Sequence, residues 1–182
     1  IYPERTLFPF LEYAQRCLPE VKFHAPNAIH LRLVTAETAR RLAQGGLVKV
    51  FLGVESVSSA WLADTGGKAA AYELERAVAL LLSAGISARD LTAYVLCGHP
   101  MQSADDVAAT VQRVREAGAR SMLAEFSPIP GTRDGEGCRA WVDLDEPLWH
   151  NKTAFALRRY GREQMEELKK LVRECNAGID GV

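Results

Sequence analysis

Apolar positions along this chain fall into three repeated units of one grammar. An amphipathic stretch stops at glycine and a short apolar run follows: Ala43-Gln44-Gly45-Gly46-Leu47 precedes VKVFLGV, Ser83-Ala84-Gly85-Ile86 precedes LTAYVLCG, and Glu116-Ala117-Gly118-Ala119 precedes SMLAEFSP. Glycine tolerates the left-handed conformation that closes a helix, so each unit reads as helix then strand. Thr35 before ETARRLAQ supplies a start signal, and Ser103 with Asp106 three residues on resembles a capping box. From about Ala71 to Ala84 the spacing puts Leu74, Ala77, Val78 and Leu81 on one helical face, which should pack on a sheet.

An earlier strand is predicted over Val21 to His24, and a long amphipathic helix from about Asn151 to Cys175 closes the pattern. Strands joined by crossover helices run parallel, so the expected class is α/β with about four parallel strands and outer helices. The strands are rich in Val, Leu and Phe without clean alternation, so both faces of the sheet are expected to be covered. Periodicity does not separate a doubly wound sheet from part of an α/β barrel. In both, functional groups gather beyond the strand C-termini. Those ends read His24-Ala25-Pro26-Asn27, Glu55-Ser56, Cys97-Gly98-His99-Pro100, and Ser127 to Thr132.

Composition narrows the function classes. The 182 residues are 48% hydrophobic, which fits one folded domain, with a core over about 20–135 and a helical extension over about 146–182. Twenty-two basic residues against twenty-three acidic ones leave a net charge of -1, which gives no general field for nucleic acid or an anionic membrane. No apolar run reaches membrane-spanning length and no signal peptide is evident, so a cytoplasmic location is expected. Cys17, Cys97, Cys138 and Cys175 are dispersed, which argues for reduced thiols and against a metal knuckle.

The ordered set LGVES, then Gly66-Gly67-Lys68, YVLCGHP before a capped helix, and FSPIPGT resembles the later half of a radical S-adenosylmethionine (radical SAM) barrel. It lies nearest to the branch with cobalamin-binding or tRNA-modifying members, and the likeness covers roughly 20–175. The resemblance implies a partial (βα) barrel of the TIM-like type. It also implies S-adenosylmethionine and a [4Fe-4S] cluster as cofactors, serving a 5′-deoxyadenosyl radical, and it leaves cobalamin open. No cobalamin-ligating D-x-H-x-x-G pattern is present. By this resemblance Glu55 and Ser56 meet the cofactor's amino group or ribose, Lys68 its carboxylate, and Gly98 and Asn27 line the same site. Glu125, Ser127 and His99 fall on the substrate side.

Plainer readings accompany these. Glu55 and Ser56 also suit the start of a short helix, and Lys68 suits a solvated loop. Cys97 and His99 depart from the family pattern, and two candidate ligands without a third are better read as a packed thiol and a hydrogen-bonded imidazole. Glu125, inside an apolar strand, is expected either to point into the barrel or to pair with a base such as Arg32. Asp145-Glu146-Pro147-Leu148-Trp149-His150-Asn151 resembles a stretch of some relatives; Trp149 and His150 suit a cover over the barrel mouth, and the plainer, preferred reading makes Pro147 and Trp149 anchors of the last helix.

The family's C-x-x-x-C-x-x-C cluster motif is absent from the 182 residues. The expectation is therefore the C-terminal portion of a larger enzyme, inactive alone, whose partner is an N-terminal half-barrel carrying the cluster cysteines. A non-catalytic α/β scaffold or an unrelated TIM-like enzyme remains the alternative, although no phosphate-binding glycine loop supports the latter. The substrate is not legible.

Overall fold

The computed structural model describes residues 3–64 and 71–181. Along the chain run α1 (Leu7–Cys17), β1 (Phe23–His30), α2 (Ala36–Gln44), β2 (Leu47–Glu55), α3 (Ser59–Asp64), α4 (Ala71–Ser83), β3 (Leu91–Cys97), α5 (Ala104–Glu116), β4 (Arg120–Glu125), α6 (Arg133–Glu136) and α7 (Lys152–Asp180). Local chemistry sets the boundaries. The Thr35 hydroxyl accepts from Thr38 N at the head of α2, and Ser103 and Asp106 close a full capping box on α5. Gly46, Gly85 and Gly118 take left-handed φ values of 85°, 96° and 90° where the helices hand over to strands. Within α7 the helix breaks at Gly161, φ 76°.

The four strands form one parallel sheet in the order β1-β2-β3-β4. This is the expected α/β arrangement. The predicted first strand is corrected: it runs from Phe23 to His30 rather than ending at His24, so Asn27 lies within it. Pro26 is tolerated because β1 is an edge strand. Ala25 pairs with Val50 and Ile29 with Leu52, so Pro26, Asn27 and Ala28 bulge against Phe51.

The expectation of a sheet covered on both faces is also corrected. On β2, Val50, Leu52 and Val54 are buried while Lys49, Phe51, Gly53 and Glu55 keep exposure, and on β3 Leu91, Ala93, Val95 and Cys97 are buried. One face therefore meets Ala39 and Leu42 of α2, Leu74, Ala77, Val78 and Leu81 of α4, Val107 and Val111 of α5, and Met165 and Leu168 of α7. Each such side chain, fully buried, contributes roughly 1.5–3 kcal/mol for Val or Leu. On the other face Phe51 and Tyr94 stack with ring centroids 5.1 Å apart and Met122 is 45% exposed. A smaller cluster of Cys138, Val142, Leu144 and Phe155 packs with Phe126 and Trp149 beyond the strand ends.

Candidate functional site at the strand C-termini

β2 does not end as a simple strand. Glu55 has φ 61°, the one positive φ at a non-glycine position among the described residues. The β2–β3 register slips between Gly53 and Glu55, and Ser56 N donates to Val54 O at 2.8 Å, which closes a tight backbone turn centred on Glu55. A left-handed glutamate costs about 1–3 kcal/mol, so the surroundings must hold it there. They include Val57 N, which donates to Thr110 Oγ1 on α5 at 3.3 Å, and Ser58 N, which donates to Ser56 Oγ at 3.2 Å. Ser56 is fully buried and its hydroxyl serves this turn, whereas Glu55 keeps partial exposure.

At the end of β3, Gly98 takes φ 91°, and a Cβ there would lie 2.8 Å from Ala156 Cβ of α7. Glycine is required twice over, by conformation and by close approach. Cys97 faces the helices, its Sγ 3.8 Å from Met165 Sδ, and burial pushes its thiol up to about 12. His99 turns away from it. The imidazole is 3% exposed and sits edge-to-face with Trp61 of α3 and with Phe126, each centroid 4.6 Å away. Its Nδ1 accepts from Met101 N at 3.2 Å, which places the proton of the neutral ring on Nε2. Nε2 stands 3.6 Å from Asp134 Oδ2, beyond hydrogen-bond reach. Burial holds His99 below the ordinary histidine range, partly opposed by the Asp134 carboxylate. Cys97 and His99 thus do not converge on a common ligand position.

β4 brings a correction for Glu125. It shares the face of Ser121 and Leu123, stands in register with Cys97, and so lies on the helix-covered side of the sheet, away from the open face. Its expected partner Arg32 instead bonds Glu73 at 2.7 Å. Ser127 Oγ donates to His150 O at 3.2 Å. The Asp145 to Asn151 stretch forms a 3-10 turn over Pro147–His150, capped by Glu146, with Trp149 packed on the Phe155 cluster and Asn151 capping α7.

The strand ends thus bring Glu55, Ser56, Gly98 and His99 to one end of the sheet. Asn27 is exposed in the β1 bulge, beside Phe51 rather than at the strand end. Lys68 lies outside the described residues. Sequence reasoning missed Trp61, Phe126 and Asp134 around His99, because they come from three separate segments. It also missed Arg133, which bonds both Asp64 oxygens at 2.9 Å and ties α6 to α3.

Among the described residues no three His, Cys, Asp or Glu side chains gather as a metal site. The four cysteines do not fit an iron–sulfur cluster: Cys97, Cys138 and Cys175 are buried apart in packed surroundings and Cys17 is exposed on α1. No helix of the described residues is long and apolar enough to cross a membrane.

The chain matches no protein-family model and no curated protein. Solved structures do resemble it. One is the radical S-adenosylmethionine methyltransferase TsrM from Kitasatospora setae with tryptophan substrate and the analogue aza-SAM bound, at TM-score 0.59 and 21% identity, covering 75% of this chain and 27% of that one. TsrM with cobalamin and a [4Fe-4S] cluster bound gives TM-score 0.58 at 21% identity, over 75% and 26% of the two chains. The radical SAM coproporphyrinogen III oxidase HemN from Escherichia coli gives TM-score 0.60 at 13% identity, covering 91% of this chain and 36% of that one. The chain therefore spans about a quarter to a third of the length of these neighbours. Its four parallel strands and their helices have the fold of a partial barrel shared with radical SAM enzymes.

Proposed function

We propose that this chain forms the later strands of a radical SAM barrel and that Glu55 recognises S-adenosylmethionine. The observation that carries this reading is the left-handed backbone at Glu55, on the strand end where the fold puts its chemistry. Strain of this kind persists where a side chain must be aimed, and a partly exposed carboxylate there accepts hydrogen bonds from an ammonium group or a ribose. The fit rests on Glu55; Lys68 is proposed as a lesser contact, whereas Asn27, beside Phe51, lies too far back along the sheet to share the site. Ser56 and Gly98 act through position, the first by tying the turn and the second by letting α7 approach.

S-adenosylmethionine, when bound beside a reduced cluster, supplies radical chemistry. In this reading the cluster ligands and the remaining strands come from outside the described residues and continue the sheet toward a fuller barrel, with Phe51, Tyr94 and Met122 on its inner surface. Glu55 orients the cofactor, and Trp61 and Phe126 keep water from the mouth around His99. Cobalamin and the identity of the substrate stay outside the proposal, since the neighbours' ligands are theirs alone.

The test is cofactor cleavage by the whole native protein, this chain together with the strands and cluster ligands it is proposed to complete, supplied anaerobically with iron, sulfide, reductant and S-adenosylmethionine, with 5′-deoxyadenosine as the readout. Glu55→Ala should lower the yield by about 10-fold or more at unchanged melting temperature, the scale expected for losing a charge-assisted hydrogen bond. An unchanged yield in Glu55→Ala removes Glu55 from the site, and no product from the native protein overturns the assignment.

A further inference from the structure

A second cleft opens at the other end of the sheet. It has a volume of about 340 Å³ and lies on the open face near the strand N-termini, lined by Lys49, Phe51, Arg89, Thr92, Arg120 and Met122. Glu55 stands four positions along β2 from Phe51, about 13 Å of strand, so this cleft is distinct from the strand-end site.

Register explains its construction. Phe51 of β2, Thr92 of β3 and Arg120 of β4 stand side by side across three strands, and Met122 follows two places along β4 on the same face. Thr92 is 8% exposed, and its hydroxyl opens to the cleft without a hydrogen-bond partner among the described residues. Beside it Ser121, which also lines the cleft, holds a buried hydroxyl with no partner, and such a group is costly and uncommon. Around it stand three cations. Arg120 bonds Asp180 of α7, whereas Lys49 and Arg89 make no ion pair among the described residues. Asp90 and Asp180 also border the cleft, leaving cations in excess by one. Phe51 and Met122 give it an apolar wall.

A donor hydroxyl at the floor, cations at the rim and an apolar wall suit one class of ligand. We propose that this cleft binds a small organic oxyanion, a carboxylate or a phosphate, with its charged head on Thr92, Lys49 and Arg89 and a flat apolar body on Phe51 and Met122. A volume of about 300 Å³ or more is within the range of small-molecule sites. The proposal does not depend on the cofactor reading at Glu55.

The experiment is titration calorimetry of the native protein with phenyl phosphate, benzoate and inorganic phosphate. At least one of the two ring-bearing anions should bind about 10-fold more tightly than inorganic phosphate, and which of them binds better assigns the head group. Thr92→Val keeps the side-chain shape and removes the hydroxyl, and Lys49→Met removes an exposed charge; each should weaken binding about 10-fold while the melting temperature and 5′-deoxyadenosine yield stay as in the parent. The proposal is overturned if no probe binds, if inorganic phosphate binds as well as the ring-bearing anions, or if both variants bind like the parent.

Discussion

His99 carries the most specific information at the scale of single residues. Its ring is sealed by Trp61 and Phe126, with Asp134 facing Nε2 and the charges of Arg159 and Asp64 acting from farther off. Burial lowers its pKa in the fold, so the unfolded chain takes up a proton at higher pH than the folded one. The sign follows: the contribution of neutral His99 to stability is complete above the ordinary histidine value near 6.5, and is lost as pH falls from there toward the lowered folded value. Urea unfolding at a series of pH values should show stability falling below about pH 6.5, and His99→Phe should flatten that slope. An unchanged slope in the variant would place the titration elsewhere. Gly98, one residue earlier, shows a different constraint, since only a residue without Cβ fits both its φ and the approach of Ala156.

Elements in this chain begin and end by local rules, which is why their boundaries were largely legible. Thr35, Ser103 with Asp106, and the glycines at 46, 85 and 118 act on backbone groups within a few residues, so the sequence signal and the structural cause are the same. Ser103→Ala removes the hydroxyl half of the α5 capping box and keeps the bond from its backbone N to Asp106 Oδ2. It should cost about 1 kcal/mol in urea unfolding, and it should partly raise the Asp106 carboxyl, which hydrogen bonds from the Ser103 backbone and hydroxyl now hold below its ordinary value. A cost near zero would mean that helix packing alone fixes the start of α5. What could not be read locally was the direction of side chains within strands. Glu125 was expected to face the barrel or Arg32, but its direction follows from pairing with Cys97, a nonlocal fact. The strand predicted over Val21 to His24 runs on through Pro26, which an edge position with a bulge accommodates.

At the scale of the whole molecule, the sheet is covered on one face and open on the other. Apolar Phe51 hid the alternation of β2 in the sequence; once register is known, Val50, Leu52 and Val54 separate cleanly from Lys49, Phe51 and Gly53. The likeness to TsrM and HemN gives that open face its meaning as the inner surface of a partial barrel, with Glu55 and His99 at one end and the Thr92 cleft toward the other. The strand-end chemistry was legible as residue types in order. Its geometry was not, because Trp61, Phe126 and Asp134 reach His99 from three different loops and helices.

Hydrogen exchange of the native protein, followed by mass spectrometry with and without S-adenosylmethionine, tests the central claim most directly. The account predicts slowed exchange in peptides over 53–58, where the Glu55 turn closes on the ligand, and over 97–102, with little change over 89–92 at the opposite end of the sheet. Protection confined to 89–92, or no protection at 53–58 under saturating ligand, would contradict the assignment of Glu55 and its strand end to the cofactor.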